Sequence, residues 1–474
     1  MIRSRFIGIA LVASAALPGS ATAQQQTGSS ATAPAAARRF PSDDEILRVI
    51  KQRVDEKRSA GIVVGILEDG RTRIVAYGDP GPGQPALDGN TVFEIGSISK
   101  VFTATILAEM VQEGRVHLDD PAQKYLPASV HLPSRGDKQI TLGSLSEQNS
   151  GLPRMPTNFH PADPANPYAD YSVQQMYDFL SSYQLTRDPG QSFEYSNLGV
   201  GLLGHVLSLA AGKSYEDLAR ERIWAPLGME HTAITFTPWM KAHLALGHDE
   251  QGNVVKNWDI AALAGAGAIR STANDMLKFL EANLHPERGA VQRAMELAHQ
   301  RRAPAGNMDI GLNWLRAHST ADTIVWHNGG TGGYRTFIGF QPSRKRGVVV
   351  LTNTGGTGAD DIGMHLLDPA LALAPKPVPP KQRVAIALAP SVLAGFTGKY
   401  QLAPGVIFEV TAKDSALFVQ PTSQPTFRLW PETEVDFFLK EIDAQVTFVR
   451  DAQGRVTGLV LHQNGANQTA PRLP

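Results

Sequence analysis

Phe93-Glu94-Ile95-Gly96-Ser97-Ile98-Ser99-Lys100-Val101-Phe102-Thr103-Ala104 is the stretch on which the reading of this chain turns. Its apolar, strand-like lead ends at Gly96. From Val101 the apolar residues Val101, Phe102, Ile106, Leu107, Met110 and Val111 recur at helical spacing, and Gly114 is placed to end the run. The spacing puts Ser97 and Lys100 one turn apart on one face, in the first turn of the helix. There the hydroxyl meets the positive end of the helix dipole and the ammonium reaches its oxygen. This is the geometry of an activated serine nucleophile. Ser-x-x-Lys is short enough to occur by chance, so its weight depends on partners elsewhere in the chain.

Upstream, Ser42 is placed as an N-cap with Glu45 three residues on, ahead of an apolar stripe of Ile46, Leu47, Ile50 and Val54. Residues 62–67 and 73–77 read as strands joined through Glu68-Asp69-Gly70. Helix, hairpin and nucleophile helix in succession suggest an α/β layered architecture. Downstream, 154–171 is rich in Pro, Asn and Asp and lacks periodicity, as in a long surface loop that walls a site. Tyr195-Ser196-Asn197 leads into an apolar helix over 198–211. Its Gly199-Val200-Gly201-Leu202-Leu203-Gly204 matches a dinucleotide fingerprint, but no parallel strand precedes it, and close helix packing explains the glycines better. Residues 323–326 form a strand running into His327-Asn328-Gly329-Gly330-Thr331-Gly332-Gly333, and 334–340 and 347–353 read as two more strands.

The domain reading is a signal sequence over 1–23, a flexible leader over 24–41, a catalytic domain over 42–370, a Pro/Ala-rich linker over 371–390 and an all-β domain over 391–474. In the last, six short strand-like runs (406–410, 416–419, 427–430, 436–439, 446–450 and 456–461) suggest a small up-and-down barrel. The signal rests on Arg3 and Arg5, a short apolar run over 6–17 and Ala21-Thr22-Ala23. It predicts a secreted or periplasmic protein without stable membrane insertion. Removing it takes two of the 44 basic residues and no acid, leaving 42 against 45, a charge of −3. That balance gives no reason to expect nucleic acid. With no cysteine, disulfides, thiolate metal sites and cysteine nucleophiles are excluded. No histidine pair has a convincing acidic third partner, so a metal site is not expected; no cofactor is expected either.

Three motifs stand in order: Ser97-Ile98-Ser99-Lys100, Tyr195-Ser196-Asn197 and His327-Asn328-Gly329. Together they resemble the serine β-lactamase and penicillin-binding DD-peptidase superfamily, in particular its class C β-lactamase-like branch. The flanks Phe93-Glu94-Ile95-Gly96 and Val101-Phe102-Thr103-Ala104, the run from Gly329 through Tyr334 and Trp224-Ala225-Pro226-Leu227-Gly228-Met229 agree with it. The resemblance spans roughly 43–368. The C-terminal part is similar instead to the lipocalin-like domain appended to some relatives.

The resemblance implies an antiparallel β-sheet flanked by helices, with an all-helical subdomain. It implies an exported serine hydrolase acting through an acyl-enzyme on Ser97, on β-lactams or on D-alanyl peptides and amides. A carboxylesterase of the same fold and a non-hydrolytic penicillin-binding sensor are the alternatives. Lys100 and Tyr195 both stand as candidates for the base. Asn197 would orient Lys100 and the substrate amide, and would also serve as a helix cap. Ser97 and Gly330 would offer the oxyanion N–H groups, with Gly329 and Gly330 leaving room along the strand edge. His327, in isolation an edge-strand surface residue, would bind substrate together with the 154–171 loop. If it must be protonated to hold a carboxylate, turnover of anionic substrates should fall as pH rises through the histidine range. Arg335 reads as a strand surface residue or a second cation for a carboxylate. Gln148 stands where many relatives carry histidine. The partner is a small-molecule or peptide substrate; the sequence names none for the β domain.

Overall fold

The computed structural model describes residues 39–474 apart from 320–321, 357, 377–382, 404–405, 423–424, 441 and 464–465. The signal sequence, the leader up to residue 38 and part of the linker lie outside the described residues. The chain divides into two compact units, before and after residue 377.

The larger unit is built on an eight-stranded antiparallel sheet in the order β2-β1-β10-β9-β8-β7-β6-β5. β1 (Gly61–Glu68) and β2 (Arg71–Gly78) form the foreseen hairpin, with Asp69 and Gly70 both at positive φ (52° and 68°), as a two-residue hairpin turn requires. β3 (Val92–Glu94) and β4 (Arg270–Thr272) pair separately. β5 (Ala303–Ala305), β6 (Met308–Ile310) and β7 (Leu315–His318) are short additions that the sequence did not announce. β8 (Thr323–Gly330), β9 (Arg335–Gln341) and β10 (Arg346–Thr352) complete the sheet.

Side chains alternate across it. Ile62, Val64, Ile66, Val348 and Val350 face a core made with the Asp43–Asp55 and Asp360–Leu367 helices. Val63, Leu67, Val349 and Leu351 face the opposite core, which includes Phe279 and Leu280 of the Ala273–Asn283 helix. The Ser99–Gln112 helix is buried from Ser99 to Met110, so it forms the centre of that core rather than an amphipathic surface. The Asn197–Ala211 helix packs in the same core through Val200, Leu202, Leu203 and Val206. The Gly199-x-Gly201-x-x-Gly204 pattern is a packing device. A Cβ on Gly201 would lie 2.5 Å from Leu263, and one on Gly204 would lie 2.9 Å from the Cα of Gly265.

The smaller unit runs β11 (Gly398–Ala403), β12 (Val406–Lys413), β13 (Ala416–Pro421), β14 (Phe427–Pro431), β15 (Asp436–Phe438), β16 (Ala444–Arg450), β17 (Val456–Gln463) and β18 (Ala466–Pro471), each antiparallel to the next. A bridge between Tyr400 and Arg472 brings the end back to the start, so the eight strands form a nearly closed up-and-down barrel. The rings of Phe396, Tyr400, Phe437 and Phe448 meet inside it.

Candidate active site

Gly96 makes the elbow. Its φ is 51°, and a Cβ there would sit 2.6 Å from the backbone nitrogen of Gly330. The chain leaves β3, passes through a 3-10 turn over Gly96–Ile98 and enters the α-helix at Ser99. Ser97 therefore precedes the helix instead of lying in its first α-turn, as its spacing had predicted. From Thr91 to Met110 it is the one residue that is not fully buried. The elbow is clamped to the sheet: the Thr336 hydroxyl donates to the Ile95 carbonyl at 2.9 Å, and a Cβ on Gly329 would meet that carbonyl at 1.9 Å.

Lys100 points back from the helix into a fully buried site. Its Nζ donates to Ser97 Oγ at 2.9 Å and to the Ala266 carbonyl at 2.7 Å. Among the described residues no carboxylate pairs with it. Burial first, and the Arg154 charge second, hold its pKa well below the usual lysine range.

The Tyr195 ring lies 4.9 Å from Lys100 Nζ and 5.0 Å from the Arg154 guanidinium carbon. The Arg154 charge would favour a phenolate, yet burial wins and pushes its pKa up to about 12, against a hydrogen bond with Ser97 and that charge. Tyr195 rests as the phenol.

Asn197 is the first residue of its helix. The cap is its neighbour Ser196, whose Oγ accepts from Gly199 N at 2.8 Å, so the capping role read for Asn197 is corrected. The Asn197 carboxamide turns to Met155 Sδ at 3.8 Å and to the Tyr168 hydroxyl. No hydrogen bond links it to Lys100 among the described residues; the Ala266 carbonyl orients that amine instead.

His327 is not a surface residue: it is 1% exposed, its ring centroid 6.3 Å from that of Tyr195. Its Nδ1 lies 2.6 Å from the Asn328 carbonyl oxygen, and burial followed by the nearby Lys100 pushes its pKa down to about 3. The imidazole is neutral at physiological pH, so it supplies no cation. β7 pairs with β8 only as far as Trp326, whereas β9 continues to Gly330. Residues 327–330 thus have an edge that β7 does not cover. Arg335, the first residue of β9, pairs with Gly330 of β8, its Nη1 donating to the carbonyls of Thr331 (3.0 Å) and Tyr334 (3.1 Å).

Residues 46–372 match the family model described as Beta-lactamase, and residues 382–471 match a domain of unknown function, DUF3471. The chain belongs to the beta-lactamase family. It is 29% identical over 340 residues to a beta-lactamase of Pseudomonas fluorescens, covering 64% of this chain and 91% of that one. To the D-alanyl-D-alanine-carboxypeptidase/endopeptidase AmpH of Escherichia coli K12 it is 30% identical over 305 residues, 60% of this chain and 77% of the relative. The beta-lactamase/D-alanine carboxypeptidase of Yersinia pestis, solved in complex with citrate, superposes with a TM-score of 0.59 at 26% identity, covering 69% of this chain and 97% of that one. As a beta-lactamase-family chain the protein is a serine hydrolase with a mixed α/β fold.

Several features of this beta-lactamase-family site were not legible as motifs. Gln148, at φ 58°, accepts from Ser196 N at 2.6 Å and donates to Asn313 Oδ1 at 2.9 Å, tying the second-motif loop to the body of the domain. Glu94 accepts from the backbone nitrogen of Trp258 at 2.9 Å and pairs with Arg270 at 3.3 Å, both side chains buried. Trp258 in turn stacks obliquely on Tyr168, 5.3 Å between centroids, which gives the foreseen 154–171 loop an aromatic footing. Arg154, over Tyr195, follows a Gly-Leu-Pro turn and carries no spacing signal.

Proposed function

We propose that the protein is an exported hydrolase that opens β-lactams or cleaves D-alanyl peptides and amides through an acyl-enzyme on Ser97. The observation that carries this reading is the Lys100 amine, buried with no carboxylate partner among the described residues and 2.9 Å from Ser97 Oγ. As the neutral amine it takes the Ser97 proton while Oγ attacks the acyl carbon. The Ala266 carbonyl keeps the amine aimed. Tyr195, protonated at rest, hands its proton to the leaving nitrogen and is refilled from Lys100. The N–H groups of Ser97 and Gly330, brought together by the Gly96 contact, hold the oxyanion. Water then hydrolyses the ester with Lys100 as base again. Asn197, His327, Gly329 and Gly330 bind the substrate along the open edge of β8.

The neutral imidazole of His327 favours a second reading, a carboxylesterase of the same fold. We take 42–370 as the hydrolase domain and 391–474 as a lipocalin-like barrel whose rings fill its interior.

A panel of nitrocefin, a D-alanyl-D-alanine peptide and a p-nitrophenyl ester tests the substrate class. Turnover of either of the first two is expected. Turnover of the ester alone would replace this reading with the esterase one.

A further inference from the structure

We propose that Arg154 is the specificity-determining cation of the cleft and holds a carboxylate of the substrate, which assigns the site to anionic acyl compounds. The inference rests on the serine-hydrolase reading above.

The third motif offers no charge, because His327 is buried and neutral. Lys100 lies behind Ser97 with no exposed surface. Arg335 is already engaged by the Thr331 and Tyr334 carbonyls, and the charges of Asp360 and Glu250 face it. Arg154 differs from all three. It is exposed, its guanidinium sits 5.0 Å from the Tyr195 ring, and among the described residues it has neither a carboxylate partner nor a side-chain hydrogen bond.

Its position is nonetheless fixed. The Arg154 carbonyl accepts from Asn197 N at 3.0 Å and Leu198 N at 3.2 Å, at the start of the helix that follows Tyr195. The side chain thus projects from a rigid point, with its guanidinium over the Tyr195 ring. A planar fork of donors held over Tyr195, with no anion partner among the described residues, is complementary to a carboxylate.

Occupancy has a second consequence. Lys100 is faced by Ser97, Tyr195, neutral His327 and the Arg154 charge. A carboxylate on Arg154 cancels that charge, so an anionic substrate strengthens the base at the moment it must take the Ser97 proton.

The test uses the full chain and one pair of p-nitrophenyl esters, one bearing a free carboxylate on the acyl group and the other its methyl-capped neutral form. Arg154→Gln should lose about ten- to a hundredfold in kcat/KM on the charged ester, the worth of a charge-assisted hydrogen bond, with little change on the neutral one. Arg154→Lys should recover part of the loss, and Arg154→Glu should deepen it. In Arg154→Gln the acid limb of kcat/KM on the neutral ester should move to higher pH, because Lys100 loses a repelling neighbour. Equal losses on both esters, or none, would overturn the assignment. The hydrolase reading is judged separately: it fails if Ser97→Ala still turns over either ester, whatever Arg154 does.

Discussion

Lys100, Tyr195 and His327 enter a low-dielectric site without a carboxylate among them. Removal from water disfavours the charged form of each: the amine shifts down, the phenol up to about 12 and the imidazole down to about 3. The motif spacing left Lys100 and Tyr195 as equal candidates for the base. Burial moves them in opposite directions: it raises the phenol, which keeps its proton, and lowers the lysine, which favours Lys100 as the proposed base. The sign of the pH dependence follows. Below the depressed Lys100 pKa the amine is protonated and cannot take the Ser97 proton, so kcat/KM falls on the acid side. His327 stays neutral through the histidine range, and the expected fall in turnover of anionic substrates as pH rises there is withdrawn. A pH profile of kcat/KM for the protein and for His327→Gln checks this: the acid limb should keep its place in the variant. Its disappearance in His327→Gln would transfer the titration from Lys100 to the histidine.

At the scale of elements, the strand–turn–helix around Ser97 was readable because an apolar run changes period there. The 3-10 turn within it was not, because it is imposed by the approach of Gly330 to Gly96, far apart in sequence. Ser196 capping instead of Asn197 is a choice between adjacent residues of similar capping strength, which position alone does not settle. β5 to β7 are three or four residues each, and β11 and β18 (Gly-Lys-Tyr-Gln-Leu-Ala and Ala-Asn-Gln-Thr-Ala-Pro) have few β-branched or aromatic residues. Pairing with longer neighbours makes them strands. The glycines of the Asn197–Ala211 helix were read correctly as packing, and they reach the site. Gly204 meets Gly265, whose carbonyl accepts from Thr103 at 2.8 Å, and the next residue's carbonyl holds Lys100. Gly204→Val should therefore destabilise the protein by about 1–3 kcal/mol, the usual cost of overpacking, and slow turnover by displacing Ala266. Denaturant unfolding with a kinetic assay checks it; an unchanged midpoint would show that the contact yields freely.

At the scale of the molecule, two units each bury their own core, the larger around the sheet and its helices and the smaller around aromatic rings. The boundary between them falls within a Pro/Ala-rich stretch, after which the sequence changes to short strand-like runs. Among the described residues no helix is long and apolar enough to cross a membrane, and no group of side chains is arranged for a metal ion. The proposed chemistry rests on Ser97 and the buried groups around it. Intact-mass analysis after exposure to a penicillin or a fluorophosphonate tests this most directly. One covalent adduct is expected on the protein and none on Ser97→Ala. An adduct that survives the substitution would contradict it.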